Sequence, residues 1–322
     1  MRTLLSITLS LIFFATAFAQ QESQFTQFMH NKLVINPGYA GVPGVPVLTA
    51  LHRNQWMGFE GNPQTTLLSF HTNLVPDKVG LGLTVANFRV GLFNNYMGSM
   101  AYSYRIEFSE KADLRIGLQV AARRYEIDFS EQAFLRNIDL VNPDDNYLNN
   151  VMDMQVNDFN ASFGAGAFLR VSNAFLGVSV PNLYNGDILI NETTDGSFTS
   201  SEFPHFYGMA GVEIPVSANV KVTPQVMAKY VENAPFDLDA NVMAMFNDAL
   251  GVGASYRLGG EGSGESIDFL LFFNFGNLSI GGAYDYSLTE LQDYSSGSVE
   301  AVLKYYFRPK TQTNMENPRY FE

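Results

Sequence analysis

Residues 158–171 read DFNASFGAGAFLRV, and apolar side chains occupy every odd-numbered position from Phe159 to Val171. Small, polar or charged side chains fill most positions between them, among them Asn160 and Arg170. A period of two is that of a β-strand, whose successive side chains point to opposite faces. The run is as long as the ~9–11 residues of a membrane-spanning strand and longer than the ~5–6 of a typical globular strand. It therefore predicts a long strand with one apolar and one polar face.

The same alternation recurs along the chain in about fourteen runs, which predicts an antiparallel sheet with an even number of strands. The runs cover residues 47–56, 64–74, 79–88, 92–107, 113–127, 158–171, 174–181, 205–214, 219–230, 236–247, 249–258, 266–275, 277–288 and 298–307. Short connections alternate with longer ones, and the two longest are residues 128–157 and 182–204. Outer-membrane barrels have short periplasmic turns and longer outer loops. The pattern therefore favours a barrel whose short turns face the periplasm.

Alternation alone does not decide which face of the strands meets lipid, because a soluble barrel would show the same pattern. The polar face carries both signs of charge, which suits a water-filled or ion-paired lumen. Its charged residues are Arg105, Arg115, Arg123, Arg170, Lys229, Asp237, Asp239, Asp285, Glu300 and Lys304. The apolar face has aromatic residues near strand ends, where membrane-interface girdles lie. These are Tyr102, Tyr104, Tyr284, Tyr286, Tyr305 and Phe307. We therefore predict an all-β fold, a transmembrane antiparallel up-and-down β-barrel of about 14 strands over residues 47–307.

The remaining segments lie before and after this predicted barrel. Residues 1–19 combine a positive start, an apolar run and an A-x-A site, which predicts a secretory signal peptide. After residue 19 no run approaches the ~20 apolar residues that a spanning helix needs. Residues 20–46 are polar and then turn-rich, and we expect them to plug or cap the barrel from the periplasmic side. Residues 308–322 form a charged tail after the last strand.

The composition excludes several classes of function. The 322 residues include no cysteine, which excludes disulfides, thiolate metal sites and a cysteine nucleophile. An excess of 32 Asp and Glu over 19 Lys and Arg argues against a nucleic-acid partner. The four histidines show no metal-ligand spacing. Asp237 and Asp239 resemble the start of a calcium loop, but Val242 stands where that loop needs glycine. We therefore assign no catalytic residue, cofactor or metal and expect these two carboxylates to face the lumen.

Nine short motifs span nearly all of the chain after the predicted signal peptide. They are QFTQFM at 24–29, NPGYAG at 36–41, RNQW at 53–56, GNPQT at 61–65, GAG at 164–166, GVSVP at 177–181, GGAYDYS at 281–287, SGSVE at 296–300 and YYF at 305–307. In their order and spacing they resemble the PorP/SprF family of type IX secretion system membrane proteins. The resemblance implies a β-barrel in the cell outer membrane of a Bacteroidota-type bacterium, in contact with outer-membrane lipid.

The resemblance also implies a function without catalysis. Members of the family support secretion and surface attachment of partner proteins through the type IX machine, and some are linked to gliding adhesins and gliding motility. The implied partners are secreted cargo proteins with a C-terminal sorting domain, and secretion or periplasmic peptidoglycan-anchoring components. The outer loops 128–157 and 182–204 would contact a partner outside the cell, and residues 20–46 one inside.

Three functional hypotheses remain open at this point. The first is a non-enzymatic barrel that docks cargo or a machine component. The second is a passive channel or small-molecule transporter, because a barrel of about 14 strands encloses a lumen of intermediate width. The third is an outer-membrane hydrolase that uses Ser69 and His71, which alternate on one strand face, although no G-x-S-x-G motif occurs.

Candidate partner-binding residues follow from the family motifs alone. They are Asn36, Pro37, Tyr39, Gly41, Arg53 and Trp56. A structural role is the alternative interpretation, in which these residues form a fixed turn before the first strand and a tryptophan at the barrel rim.

Overall fold

The computed structural model describes most of the predicted barrel and part of the segment before it. The described residues are 24–75, 78–127, 156–185, 188–193, 196–200, 203–232, 234–259 and 263–308. The predicted signal peptide, the tail after residue 308 and most of the predicted loop 128–157 lie outside the described residues. None of the helices in this part of the chain is long and apolar enough to cross a membrane.

The described residues form a closed antiparallel barrel of fourteen strands, as the alternation predicts. The barrel strands are β1 (Val47–Asn54), β2 (Gln64–Val75), β3 (Val79–Val90), β4 (Phe93–Ser109), β5 (Ala112–Ile127), β6 (Val156–Val171), β7 (Ala174–Asn185), β10 (His205–Val212) with its continuation β11 (Ile214–Ser217), β12 (Val220–Val231), β13 (Asp237–Phe246), β14 (Leu250–Gly259), β15 (Ser263–Phe275), β16 (Leu278–Ser287) and β17 (Ser298–Tyr306). A separate hairpin, β8 (Ile188–Thr193) and β9 (Gly196–Ser200), occupies part of the predicted loop 182–204.

Sequence neighbours pair around most of the barrel, and the first and last strands close it. Val47 on β1 lies opposite Tyr306 on β17, and Asn54 lies opposite Val299. The hairpin β8–β9 is bypassed, so that β7 pairs directly with β10. This is up-and-down connectivity, which removes the exposed sheet edges that an open sheet would leave.

Polar side chains point into the barrel and apolar side chains point out. Arg115 on β5 is fully buried, whereas Leu118 on the same strand is 61% exposed. All but one of the charged residues predicted for the lumen are buried, and Arg105 is nearly so. All six predicted girdle aromatics are exposed. Such a continuous exposed apolar surface is stable in lipid and not in water, which confirms the prediction of a membrane barrel.

The segment Gln24–Pro46, here called the plug, lies inside the lumen. It contains two 3₁₀ turns, Phe28–His30 and Pro37–Tyr39, and one helical turn, Lys32–Ile35. Most of its apolar side chains pack against inward-facing residues of the wall in one buried cluster. The cluster comprises Phe28, Met29, Leu33, Ile35, Tyr39, Ala40, Val42, Ala101, Phe168, Phe175, Met209, Met227, Met243, Leu270 and Ala283. The lumen is therefore filled by protein at this level.

Phe168 shows why an aromatic residue interrupts the polar face of β6. Its ring meets the edge of the Tyr39 ring at 5.2 Å between centroids and stacks on Phe175 at 5.4 Å. The side chain is fully buried between plug and wall. An inward phenylalanine is favourable here because the plug, and not water, lies against it.

We expect Phe168→Ala to loosen the plug while the barrel stays closed. Truncating a buried phenylalanine costs about 3–5 kcal/mol, and this ring joins plug to wall. Limited proteolysis of the purified protein in detergent should then cleave within Gln24–Pro46 several times faster than in the wild type. Phe163→Ala on the lipid-facing side of the same strand is the matched control and should leave cleavage unchanged. Equal cleavage rates in both variants would contradict the assignment.

Candidate functional site

The plug is held at one end by a buried group of charges, here called the Arg53 cluster (Thr26, Gln27, Arg53, Asp285 and Glu300). Arg53 places Nη2 at 2.7 Å from Asp285 Oδ2 and Nη1 at 3.3 Å from Glu300 Oε2. The Thr26 hydroxyl donates to Asp285 Oδ2 at 2.7 Å and accepts from Arg53 Nη1 at 2.7 Å. The backbone N–H groups of Thr26 and Gln27 donate to Glu300 at 2.9 and 2.8 Å. Wall and plug therefore share one hydrogen-bonded network.

Strand register assembles this cluster from residues far apart in the sequence. Arg53 lies directly opposite Glu300 in the pairing of β1 with β17, and Asp285 lies opposite Ser298 on the neighbouring strand pair. All five members of the cluster are buried. Buried charges are costly unless they are paired and hydrogen-bonded, so each member depends on the others.

The second attachment of the plug is the turn that begins at Asn36. The Asn36 side chain accepts a hydrogen bond from Gly38 N at 2.8 Å and so fixes the turn. Its amide nitrogen donates to Ala167 O at 3.0 Å and Val178 O at 3.2 Å, which lie on two adjacent strands. Pro37 follows at the first position of the 3₁₀ turn, where its fixed φ is favourable. This asparagine therefore joins the plug backbone to the backbone of the wall.

The wall carries glycine where this turn approaches it. A Cβ atom at Gly117 would overlap the backbone of Pro37 and Gly38, and one at Gly166 would overlap the Asn36 side chain. The next inward positions beside them carry large side chains, Arg115 on β5 and Phe168 on β6. The plug and the wall therefore meet backbone to backbone, as only glycine permits.

The last part of the plug turns back towards β1 at Tyr39 and Gly41. Gly41 has a left-handed backbone conformation with φ of 72°, and its N–H donates to His71 Nδ1 at 3.2 Å. The Tyr39 ring lies 5.6 Å from the His71 ring between centroids. Ser103 Oγ donates to Ala40 O at 2.7 Å. Wall side chains therefore satisfy the backbone of this turn.

Trp56 lies at the other end of the barrel from Gly41, just beyond the end of β1. It has a left-handed backbone conformation with φ of 52°, and its N–H donates to Ser298 Oγ at 3.1 Å. Met57 exchanges two backbone hydrogen bonds with the other connection, from Met57 N to Gly297 O at 2.8 Å and from Ser296 N to Met57 O at 2.7 Å. The two connections, residues 55–63 and 288–297, therefore form one ordered surface, here called the outer platform.

The six motif residues thus fall into three places. Asn36, Pro37, Tyr39 and Gly41 lie together in the plug, Arg53 lies in the buried cluster, and Trp56 lies at the rim. The first five are buried or packed inside the barrel, so they hold the plug in the structure as it stands. Sequence reasoning assigned no role to Thr26, although it stands in the QFTQFM motif. Asp285 lies in the motif GGAYDYS and Glu300 in the motif SGSVE. An acidic residue on the predicted polar face of each motif was the sequence feature that pointed to this cluster.

The residues considered for hydrolysis and for calcium binding have other partners in the structure. Ser69 and His71 are both buried under the plug, and His71 Nδ1 accepts the Gly41 N–H. Asp239 pairs with Arg257 Nε at 2.7 Å, and Asp237 lies 3.9 Å from Lys229 Nζ. Within the described ranges no group of three or more His, Asp or Glu side chains is arranged to hold a metal ion.

We expect Arg53→Met to destabilise the protein and open the lumen. The change leaves Asp285 and Glu300 buried without their cation, a loss of about 3–5 kcal/mol for a buried pair. Thermal unfolding in detergent should begin at lower temperature, and single-channel recordings in planar bilayers should show openings that the wild type lacks. Arg124→Met removes an exposed pair with Glu126 and is the control, with a cost of about 0–1 kcal/mol. Identical traces for both variants would argue against a plug held by Arg53.

We expect Gly117→Ala to displace the plug at its second attachment. The added methyl group would overlap the plug backbone at Pro37 and Gly38, and neither backbone can yield without moving the turn. Hydrogen exchange of the plug amides, followed by mass spectrometry, should become faster in this variant. Gly282→Ala adds the same methyl group where nothing lies within 4 Å and should leave exchange unchanged. Protection that survives in Gly117→Ala would disprove the close approach.

Comparison with solved structures places the fold among outer-membrane barrels. The chain is similar to the CymD monoaromatic hydrocarbon channel, with a TM-score of 0.50 at 11% identity, over 88% of this chain and 92% of that one. The toluene transporter TodX of Pseudomonas putida gives a TM-score of 0.48 at 11% identity, over 89% and 98%. The outer membrane protein Omp33 of Acinetobacter baumannii gives 0.45 at 8% identity, over 82% and 100%. No protein with a curated description matches this chain.

A family model extends the comparison from fold to sequence. The model for type IX secretion system membrane proteins PorP/SprF matches residues 17–305, which is nearly the whole chain. Together with the barrel fold it assigns the protein to the outer membrane and associates it with the secretion machinery. The chain belongs to the PorP/SprF family of type IX secretion system membrane proteins.

Proposed function

We propose that this barrel acts without catalysis, as a docking component that holds a secreted protein at its outer mouth. The observation that supports the proposal best is a lumen filled by the chain's own plug, beside an ordered platform at the long-loop end. A barrel closed in this way presents partners with its two mouths and not with an open passage.

The plug supports docking over passive transport because it is built into the wall. It is tied at the Arg53 cluster, at Asn36 and at Gly41 by hydrogen bonds to several different strands. Ser179 Oγ adds a further bond to Ile35 O at 2.7 Å. Free passage of a solute through the lumen would require these bonds to break together. The channel alternative predicts a steady open conductance of the wild-type protein in planar bilayers, whereas our proposal predicts silence.

The outer platform has the properties of a recognition surface. Tyr284 Oη donates to Ser296 O at 3.0 Å and Tyr286 Oη to Gln292 Oε1 at 3.3 Å, so side chains from β16 stabilise the second connection. Two aromatic side chains stand exposed on the platform, Phe59 at 38% and Tyr294 at 73%. Exposed aromatics on a rigid scaffold are typical anchors of protein interfaces.

The partner we propose is a secreted cargo protein with a C-terminal sorting domain. Gliding adhesins of this secretion system belong to this class of cargo. The opposite mouth suits a second partner, a periplasmic component that anchors the barrel to peptidoglycan. A crevice there is lined by Gly44, Val45, Pro46, Asn277 and Phe307. Each mouth would thus serve one compartment, and the closed lumen would separate them.

The double variant Phe59→Ser, Tyr294→Ser tests the outer docking site. Loss of an interface aromatic costs about 2 kcal/mol at a hot spot, so cargo recovered with the purified barrel should fall at least ~30-fold. The amount of cargo on intact cells should fall with it. Phe108→Ser changes an aromatic side chain that is 63% exposed near the short-turn end; it is the control and should keep cargo bound.

Two results would count against this proposal. Cargo recovery that is unchanged in the folded double variant would remove the outer platform as the docking site. Loss of cargo in Phe108→Ser alone would indicate that cargo docks at the periplasmic mouth instead. Folding of each variant is checked by its heat-modifiable migration on gels, which a closed barrel shows and an unfolded chain does not.

A further inference from the structure

The end of the plug that enters β1 lies at the short-turn mouth of the barrel. Pro46 O accepts a hydrogen bond from Phe307 N at 2.9 Å, just after the end of β17. Tyr306 N donates in turn to Asn277 O, in the tight turn between β15 and β16. Short turns of outer-membrane barrels face the periplasm. Pro46 therefore lies at the periplasmic mouth.

The other end of the plug lies at the long-loop mouth. Thr26 is bound to Arg53, which is one residue from the end of β1, and to Asp285, which is two residues from the end of β16. Both strand ends lead into the outer platform. Gln24 lies at the same mouth, because its Oε1 accepts from Arg257 Nη1 at 3.3 Å near the end of β14.

Gln24 also lines an open crevice at that mouth. The crevice is formed by residues of the platform and the adjacent strand ends, including Gln55, Trp56, Thr289 and Leu291. The Gln24 side chain is partly exposed there, whereas residues 25–33, which follow it in the plug, are buried. The described start of the chain is thus at the surface of the outer mouth.

We propose that the plug crosses the whole lumen once, so that Gln24 reaches the outer face of the barrel beside the platform. This differs from a periplasmic cap, in which both ends of the plug would stay at the short-turn mouth. Gln24 is then accessible from outside the cell through the outer crevice.

The wall is equipped for such a crossing along its full height. Glu300 accepts two plug N–H groups near the outer mouth, Ser179 donates to Ile35 O midway, and Ser103 and His71 bond to the chain on either side of the Ala40–Gly41 peptide group. Irregular backbone at membrane depth is stable only where protein groups satisfy its polar atoms. These partners come from four strands, β2, β4, β7 and β17, and cover both ends of the plug. A chain that entered and left by one mouth would not use them in this order.

Accessibility also bears on cargo docking. If the proposed function holds, a secreted protein on the outer platform would meet Gln24 directly. That consequence rests on the proposed function, whereas the crossing itself does not.

Single-cysteine labelling tests the crossing cleanly, because the chain has no cysteine of its own. The variants are Gln24→Cys, Tyr294→Cys as the outer reference and Lys111→Cys in the short turn between β4 and β5 as the inner reference. Cells that export each variant are treated with a membrane-impermeant maleimide, either intact or after the outer membrane is permeabilised. We expect Gln24→Cys to react on intact cells at least tenfold faster than Lys111→Cys, as Tyr294→Cys does.

A second readout covers the case in which a partly buried thiol reacts slowly. A short hydrophilic epitope inserted before Gln24 should bind its antibody on intact cells. Reaction of Gln24→Cys and binding of the epitope only after permeabilisation would overturn the crossing, and so would silence of both in either condition. Because these readouts measure topology, they fail or succeed independently of the cargo experiment with Phe59 and Tyr294.

Discussion

A guanidinium held between two carboxylates inside the barrel is the interaction on which the rest of the arrangement depends. Arg53 on the wall faces the two buried carboxylates of Asp285 and Glu300. The plug completes the group with the hydroxyl of Thr26 and the N–H groups of Thr26 and Gln27. Neither partner is satisfied alone, since a buried charge without its hydrogen bonds is strongly unfavourable. The same contacts therefore close the lumen and fix where the plug begins.

The fold was predictable because each strand carries its own evidence. The alternation in residues 158–171 alone predicts which side chains face lipid. Pairing with the neighbouring strands places the same side chains on the same face. Residues that depart from the alternation could not be predicted from the strand that carries them. Phe168 lies on the polar face of β6, and its burial against Tyr39 and Phe175 comes from the plug and not from the strand. The alternating run 205–214 also ends too early: the strand continues through Pro215 as β11, which extends to Ser217 and pairs with β12.

The sequence predicted which residues belong to the candidate site better than it predicted what each of them binds. Family motifs brought forward Asn36, Gly41 and Arg53, and the structure places all three where plug meets wall. Their partners come from distant parts of the chain, such as Glu300 for Thr26, and no local period records such a contact. The direction of the plug was unpredictable for the same reason. A segment without regular periodicity is positioned by its partners, and those partners are known only once the strand register is known.

The closed lumen also constrains how a barrel of this family can take part in secretion. Glycines 117 and 166 and the inward Phe168 adapt the wall to the plug, so closure is a property of the strands as well as of the segment that fills them. An outer membrane remains a permeability barrier only if its barrels do not leak, and a filled barrel can hold a bulky partner at one mouth without opening a path to the other. Binding at the outer platform would then act through Arg53 and its neighbours, because the connection that carries Trp56 begins directly after the strand that carries Arg53. A partner that pulls on that connection would pull on Arg53, which binds both the wall and the plug.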